Sequence, residues 1–379
     1  MNRNKGLGAL NTLIRGLQIL LGLASWLGAA LIIGLHLRFG LHSDLQPFLS
    51  MILSAGLVLV ALAVHEGGHY LGARFNAMPV LLMRVAALEI QVRRRGWQVR
   101  WSPQLKSRRL GGFVMAAANP RRPLRRQMLW MVAMGPVFNL LVGMTCLGVA
   151  GLGQGLVAAV ALAFAVINLC MALANLLPTL SVHASDGALL IAWWRHRDDQ
   201  ADALAPMRLL ALTAAGVPSE QLPAADIALL AQGPMPQPLL AFDYRLGALL
   251  NQGDWQAALQ LEPELEAVLQ SHRQSLTGMS TLITLLRIEL GFLRACQQQD
   301  ANCLWDDGMD RDIDWFAPWL RPRCEALRAF LRGDRQQGEV HLQRALQASD
   351  NCVLRSQQPS EALLAQYLRA LPVAPGSRA

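Results

Sequence analysis

Two histidines and a glutamate lie close together in a long apolar stretch of the sequence. His65 and His69 are four residues apart in the run His65-Glu66-Gly67-Gly68-His69. Residues four apart share one face of an α-helix, so both imidazoles can bind a single metal ion. Glu66 then lies beside that ion, where its carboxylate can accept a proton from water. This pattern is typical of zinc-dependent hydrolysis.

The surrounding sequence supports a functional interpretation of these three residues. They lie in the apolar run 47–73, which is long enough to cross a bilayer. Ionisable side chains are costly in such a segment and usually mark functional sites. A chance match to three specified positions is common enough in long chains that the motif needs support from the rest of the sequence.

Apolar segments predict a membrane domain in the first half of the chain. The sequence has 379 residues, 53% of them hydrophobic, which is more apolar than an ordinary soluble protein. Before residue 198 it contains only four acidic residues: Asp44, Glu66, Glu89 and Asp186. We predict about four membrane-spanning helices, at residues 16–35, 47–73, 128–152 and 156–177.

The distribution of arginines predicts the orientation of these helices. Between Arg74 and Arg126 the chain carries eleven further basic residues against the single acid Glu89. By the positive-inside rule this loop is cytoplasmic, as is the N-terminus two crossings earlier. His65 follows Phe48 by seventeen residues, or roughly 25 Å of helix, and therefore lies near the same end. Much of the net charge of +8 is thus explained by topology, and nucleic-acid binding is not indicated.

Within the arginine-rich loop, the sequence predicts a small β-hairpin. Apolar and polar residues alternate on both sides of a turn that contains Gly96. The hairpin could simply cover the membrane domain, or its edge strand could pair with an unwound segment of a substrate. The alternating apolar positions are Leu88, Ile90, Val92, Trp97, Val99 and Trp101.

An aspartate after the fourth apolar segment can complete a metal site. That segment runs back toward the arginine-rich side and ends near Pro178, so Asp186 is expected at a depth similar to that of the two histidines. His183 is a competing ligand, although a histidine at a membrane surface ordinarily binds nothing. We prefer Asp186.

The second half of the chain is more polar, and its sequence pattern predicts helices. Residues 196–238 contain six prolines and are interpreted as a linker with short helices. From residue 239 to 379, Gly253-Asp254 and Gly333-Asp334 each separate two amphipathic segments. Such turns are typical of stacked helical hairpins similar to tetratricopeptide repeats, with a non-repetitive helical bundle as the alternative.

The predicted fold class is therefore mainly α. It comprises a helical membrane domain of about four spans with a β-hairpin insertion, followed by a cytoplasmic domain of helical hairpin repeats. The six cysteines form no Cys-x-x-Cys pair and are interpreted as reduced cytoplasmic thiols. The predicted boundaries are 1–46 for the first helix and its connection, 47–195 for the metal-binding core, 196–238 for the linker and 239–379 for the repeats.

Five motifs follow one another between residues 48 and 194. They are, in order, His65-Glu66-Gly67-Gly68-His69, Leu110-Gly111-Gly112-Phe113-Val114, Gly135-Pro136-Val137-Phe138-Asn139, Asn175-Leu176-Leu177-Pro178 and Asp186-Gly187. Over this range the sequence resembles the site-2 protease family of intramembrane zinc metallopeptidases. The resemblance implies a three-helix catalytic core that cleaves within or near membrane-spanning substrates, with one Zn²⁺ per chain. The segment between Pro178 and Asp186 is longer than is usual in that family, which keeps His183 as an alternative ligand.

The resemblance also implies roles for single residues. His65, His69 and Asp186 would hold the zinc ion with one position left for water, and Glu66 would act as general base and then general acid. Asn175 could help to stabilise the oxyanion, or its amide could brace the helix break at Pro178; both roles stay open.

Two other functions are compatible with parts of the sequence. In the first, the chain is a membrane-anchored adaptor with an inactive or structural metal core, and its helical domain binds a cytoplasmic protein. The second, a zinc-binding transporter, is weaker because no inverted repeat is visible. The expected partners of a protease are a membrane protein or peptide substrate and the lipid bilayer.

Overall fold

The chain divides into two compact units, which are described separately. The computed structural model describes residues 2–38, 45–103, 111–179, 184–305 and 308–371. The membrane unit comprises Met1–Val92 and Trp97–Asp199, and the helical unit comprises Arg93–Gly96 and Gln200–Ala379.

Long apolar helices make up most of the membrane unit. Four of its helices are long and apolar enough to cross a membrane, through the stretches Gly8–Leu37, Gln46–Phe75, Leu124–Leu152 and Gly155–Leu176. The spans predicted from the sequence are thereby confirmed. The helices are α1 (Asn2–Arg38), α2 (Gln46–Phe75), α3 (Leu124–Leu152), α4 (Gly155–Leu176) and the short α5 (Asp186–Arg195).

Three alanines and two isoleucines are buried where the membrane helices meet. Ala29 and Ile33 of α1, Ala61 of α2, and Ala163 and Ile167 of α4 form one buried cluster. Small residues let helix backbones approach closely in a bilayer, where lipid is as apolar as the side chains and packing drives association. Many larger apolar side chains of these helices point outward and are exposed, as expected for a surface that contacts lipid.

A four-stranded antiparallel sheet lies between α2 and α3 in the chain. Its strands are β1 (Val80–Val85), β2 (Leu88–Arg93), β3 (Gly96–Trp101) and β4 (Gly112–Ala116), in the order β3-β2-β1-β4. The predicted hairpin is formed by β2 and β3, with Gly96 at a φ of 98° in its turn. The sequence interpretation missed β1 and β4, which enlarge the hairpin into a sheet with β4 at one edge.

Glu89, the single acid of the arginine-rich loop, has a structural role in this sheet. Its side chain is 5% exposed. Arg100 Nε donates to its Oε2 at 2.7 Å, and Arg84 Nη1 lies 3.5 Å from its Oε1. A buried carboxylate without such partners would be strongly destabilising, so the two arginines account for its presence.

The helical unit contains, in its described part, ten α-helices. Its largest buried cluster includes Leu239, Leu265, Phe292, Leu327 and Leu364, which come from five different helices. The helices are α6 (Ala205–Ala215), α7 (Ala224–Ala231), α8 (Gln237–Gln252), α9 (Trp255–Gln260), α10 (Glu262–Ser271), α11 (Ser280–Gln298), α12 (Arg311–Phe316), α13 (Leu320–Leu331), α14 (Arg335–Asp350) and α15 (Gln357–Arg369).

The two Gly-Asp turns have the same local geometry. Gly253 ends α8 and Gly333 follows α13, with φ values of 73° and 81° in the left-handed region that favours glycine. Asp254 and Asp334 then cap the next helix, each accepting a hydrogen bond from the N–H three residues later, at 3.0 and 2.9 Å. The local signal read from the sequence therefore has a common structural basis, while similarity of the whole unit to tetratricopeptide repeats stays a prediction.

Candidate metal centre

The two histidines and Glu66 lie on one helix and are all buried. His65, Glu66 and His69 are 4%, 3% and 8% exposed in α2. Their helical spacing brings the two imidazole rings to a centroid separation of 4.7 Å. The Nε2 atoms of the two rings are 3.2 Å apart, so both face the same small volume.

Hydrogen bonds fix the orientation of the His65 ring. Its Nδ1 lies 2.6 Å from Oδ1 of Asn139 on α3. The Asn139 amide is itself oriented, because its Nδ2 donates to the carbonyl oxygen of Ala61 at 3.2 Å and to Oδ1 of Asn168 at 2.8 Å. Asn139 Oδ1 is therefore the acceptor and His65 Nδ1 the donor. This tautomer leaves a lone pair on His65 Nε2, as a metal ligand requires.

His69 is held in the same way by a backbone carbonyl. Its Nδ1 lies 2.9 Å from the carbonyl oxygen of Met131 on α3, which can only accept. Nδ1 of His69 must then carry the hydrogen, and Nε2 is again left as an acceptor. The orientations of both imidazole rings thus depend on α3, although both histidines belong to α2.

Asp186 approaches the histidines from the start of α5. Ser185 caps this helix by accepting from Ala188 N at 3.3 Å, and its hydroxyl donates to the carbonyl oxygen of Leu177 at 2.7 Å. These contacts link the start of α5 to the end of α4. A Cβ on Gly187 would collide with the backbone of Leu176, so only glycine allows this approach.

Three ligand atoms converge in this way. Asp186 Oδ2 lies 3.0 Å from His65 Nε2 and 3.5 Å from His69 Nε2. All three atoms lie within 4.8 Å of one another. Two imidazole nitrogens and one carboxylate oxygen are the donor set of many catalytic zinc sites.

The electrostatics of the cluster fit a cation. With both Nδ1 hydrogens used elsewhere, neutral imidazoles present only lone pairs to Asp186 Oδ2, which is buried without a hydrogen-bond donor. Burial alone would raise the pKa of Asp186, but hydrogen bonds from protonated His65 and His69 would lower it to about 2. Protons or a metal ion must therefore lie between Asp186 Oδ2 and the two Nε2 atoms. The two imidazole nitrogens and the carboxylate oxygen fit a zinc ion.

Glu66 is buried on the same helix but does not belong to the group of three converging ligand atoms. Its Oε2 is buried and has no hydrogen-bond partner. Gly112 of β4 lies directly against the carboxylate, since a Cβ at that residue would come within 2.5 Å of Glu66 Oε1. An unpartnered buried oxygen can accept a proton from water at low cost in reorganisation.

A second glycine makes room for the two imidazoles. A Cβ on Gly135 of α3 would lie 2.5 Å from His69 Nε2 and 3.0 Å from His65 Cε1. Pro136 follows inside the same helix. The Gly-Pro-x-x-Asn motif therefore has two local functions, because Gly135 leaves space for the rings and Asn139 orients one of them.

Not every residue singled out from the sequence joins this group. His65, Glu66, His69 and Asp186 come together, whereas Asn175 Nδ2 donates to the carbonyl oxygen of Met171, one turn earlier in its own helix, at 3.1 Å. His183 lies outside the described residues. Sequence reasoning quoted Asn139 only as part of a motif and missed Asn168. The sequence could have indicated both residues, because they are amide side chains in otherwise apolar membrane spans, where polar side chains usually have hydrogen-bond partners.

Comparison with known proteins supports the assignment of this region. The model of Peptidase family M50 matches residues 53–159, which include the His-Glu-x-x-His motif and Asn139 but end before Asp186. No curated protein and no solved structure matches the chain. The resemblance drawn from the motifs is thus supported over the central part of the membrane unit, where residues 53–159 are similar to Peptidase family M50.

Proposed function

We propose that this chain is a zinc endopeptidase that cuts peptide bonds within or near the membrane-spanning segments of other proteins. The observation that carries the proposal is the convergence of His65 Nε2, His69 Nε2 and Asp186 Oδ2 beside the unpartnered Oε2 of Glu66. The M50 match supports a membrane metallopeptidase, and the four apolar helices support action in a bilayer.

His65, His69 and Asp186 are the residues that would hold the ion. A zinc ion bound there supplies a Lewis acid that activates water and polarises the scissile carbonyl. Asn139 and the Met131 carbonyl keep both imidazole Nε2 atoms free of hydrogen and directed at the ligand position. These contacts prepare the site before substrate arrives.

Glu66 moves the protons. Its Oε2 accepts a proton from the attacking water and then delivers it to the nitrogen of the leaving amine. Because the carboxylate is buried and packed against Gly112, it has little freedom to leave this position. For Asn175 we favour a bracing role, since its amide is already bonded to the carbonyl of Met171.

Strand β4 is the best candidate for holding the substrate. It pairs with β1 on one side, and no described strand lies on its other side. An extended segment paired with that free edge would place its peptide bonds next to Gly112 and hence next to Glu66. A substrate helix must unwind to pair in this way, which also exposes the carbonyl that is attacked.

The arginine-rich side of the membrane unit is proposed to be cytoplasmic, following the positive-inside rule. The N-terminus, the active-site end and the C-terminal domain then lie in the cytoplasm of a multi-pass membrane protein. We propose that the 239–379 region is a repeat-like domain that binds a cytoplasmic protein or restrains substrate. Residues 196–238 lead to it through α6 and α7.

The test replaces the proton carrier and leaves the ligands intact. Glu66→Gln protein in proteoliposomes should cleave single-span membrane proteins, labelled at both ends, about 10²- to 10⁴-fold more slowly than wild type. Its zinc content should be unchanged, because Glu66 is not a ligand. Wild-type turnover in Glu66→Gln would contradict the proposal, and so would retention of the cellular function by this variant, which the adaptor hypothesis expects.

A further inference from the structure

A cavity of about 600 Å³ lies where α2 ends and α3 begins in the membrane unit. None of its lining residues belongs to the group His65, Glu66, His69 and Asp186, and no step of the proposed hydrolysis uses it. Along the chain its wall passes from Arg122 and Arg126 to Trp130 and Met134. The lining residues are Phe75, Asn76, Arg122, Pro123, Arg126, Gln127, Trp130 and Met134.

Two arginines give the cavity a positive end. Arg122 and Arg126 are both exposed, and none of the lining residues is acidic. Arg122 Nη1 makes one long contact, 3.4 Å, to the carbonyl oxygen of Phe75. In the described part of the chain no carboxylate forms an ion pair with either guanidinium. The charge of both arginines is therefore available to an anion.

The helix N-terminus does not provide this anion site. The amide of Leu124, the first residue of α3, already donates to Asp199 Oδ2 at 2.9 Å. Gln127 is also engaged, since its side chain bonds to the backbone of Asn119 and Arg122. The anion would consequently be recognised by the two guanidinium groups, whose planar donors suit phosphate oxygens.

The apolar end of the cavity indicates that the ligand is amphiphilic. Arg126, Trp130 and Met134 succeed one another at intervals of four residues, so they follow one face of α3 over roughly 12 Å. Trp130 is 53% exposed and Phe75 is 69% exposed on helices that can span a membrane. Tryptophan at this depth is typical of the boundary between headgroups and acyl chains.

We infer that this cavity binds an anionic phospholipid. The phosphate lies between Arg122 and Arg126, the glycerol region contacts Trp130, and an acyl chain runs along Met134. Basic pockets between membrane helices recognise anionic headgroups in this manner. Free phosphate satisfies the arginines equally well but leaves the apolar half of the cavity without a ligand.

The test measures bound lipid on the delipidated, full-length protein. Phosphatidylglycerol and phosphatidylcholine with identical acyl chains are each titrated in detergent, and bound lipid is counted by native mass spectrometry. Wild type should bind phosphatidylglycerol preferentially. The Arg122→Gln/Arg126→Gln variant should bind it about 25-fold more weakly, at about fivefold for each arginine. Arg122→Lys/Arg126→Lys keeps the charge but loses the planar donors, so its affinity should fall between those of wild type and Arg122→Gln/Arg126→Gln.

A matched control separates this site from general surface charge. Arg74→Gln/Arg121→Gln removes two exposed arginines from the same end of the membrane unit without touching the cavity, and should change the affinity less than twofold. An equal loss in this control, or equal binding of phosphatidylcholine, would overturn the inference. So would displacement of phosphatidylglycerol by millimolar inorganic phosphate, which would show that only a free anion is recognised.

Measuring the zinc content of each variant shows whether a loss of lipid binding occurs without damage to the metal site of the proposed protease. All variants should hold as much zinc as wild type, because none of the four arginines contacts the metal-binding residues. A gel-filtration profile equal to that of wild type checks the fold. Normal zinc content with unchanged lipid binding in Arg122→Gln/Arg126→Gln would reject the lipid site and leave the metal centre unaffected.

Discussion

Each of the two units buries a cluster of ionisable side chains, but the clusters are completed differently. The metal-site cluster consists of His65, Glu66, His69 and Asp186 in the membrane unit. The arginine cluster consists of Arg323, Glu289 and Glu361 in the helical unit. Arg323 is 1% exposed, donates to Glu361 Oε1 at 2.7 Å and also bonds to Glu289. Its guanidinium lies 4.4 Å above the ring of Phe292.

The difference lies in where the positive charge comes from. In the arginine cluster the chain supplies a permanent cation, and the carboxylates have a partner in every state. In the metal-site cluster the oxygen atoms Asp186 Oδ2 and Glu66 Oε2 are buried without one. Buried acceptors that face one another are costly unless protons or an ion intervene. The arginine cluster thus carries its own counter-charge, whereas the metal-site cluster lacks one unless protons or an external cation supply it.

Removing the internal cation should have the largest effect on stability. Arg323→Met leaves the buried Glu361 and the half-buried Glu289 without a counter-charge. We expect the free energy of local unfolding of α13 to fall by about 3–5 kcal/mol. Hydrogen exchange of the α13 amides in the full chain measures this loss. The exposed Arg344→Met on α14 is the control and should stay within about 0.5 kcal/mol. A change of only about 0.5 kcal/mol in Arg323→Met would show that the carboxylates of the arginine cluster do not need the internal cation.

Releasing the His65 ring should weaken metal binding without changing a ligand. In Asn139→Ala the Nδ1 hydrogen loses its acceptor, so the tautomer with a free Nε2 is no longer favoured. We expect about 10- to 100-fold lower zinc affinity, measured by competition with a chelator. Thr145→Ala is the control, because Thr145 is a polar residue of the same helix that bonds only to the carbonyl of Leu141. Unchanged affinity in Asn139→Ala would show that the hydrogen bond is dispensable.

A further expected effect is a pH dependence of the arginine cluster. Burial raises the pKa of Glu361 to about 7, although Arg323 acts in the opposite direction and Glu289 in the same one. The folded chain then binds more protons than the unfolded chain between about pH 4.5 and 7, so its stability should fall as pH rises through this window.

Glu361→Gln isolates this contribution. One group can change the free energy of unfolding by at most about 1.4 kcal/mol per pH unit, and the variant should show a correspondingly flatter dependence between pH 5 and 7. Thermal unfolding of wild type and Glu361→Gln at several pH values measures this difference in pH dependence. Identical pH profiles would mean that Glu361 stays ionised throughout.

The membrane helices were predictable because their signals are local. Twenty or more apolar residues without charge specify a span, and the alternation around Gly96 specified the β2–β3 hairpin. Strand β1 was missed because Val80–Val85 reads as a nearly continuous apolar run, which does not distinguish a strand from a helix. Strand β4 was missed because its first three residues, 112–114, were interpreted only as the end of a motif.

The contacts that complete the metal-site cluster are not local. Asn139 orients His65 across 74 positions of sequence, and Asn168 orients Asn139 across 29. No periodicity encodes such pairs. The same holds for Arg323, since a charged residue in an amphipathic helix is usually solvent-exposed. The periodicity of apolar residues predicted that residues 239–379 are helical, but it could not predict which charged side chain is buried.

The measurement that tests the account most directly is the zinc content of the purified full-length protein. Wild type should hold about one zinc ion per chain. Asp186→Ala should lose most of it, because two histidines alone bind weakly, whereas His183→Ala should keep it. If wild type holds no zinc, or if Asp186→Ala binds zinc as wild type does, the metal-site cluster does not need an external cation and the proposed hydrolase is contradicted.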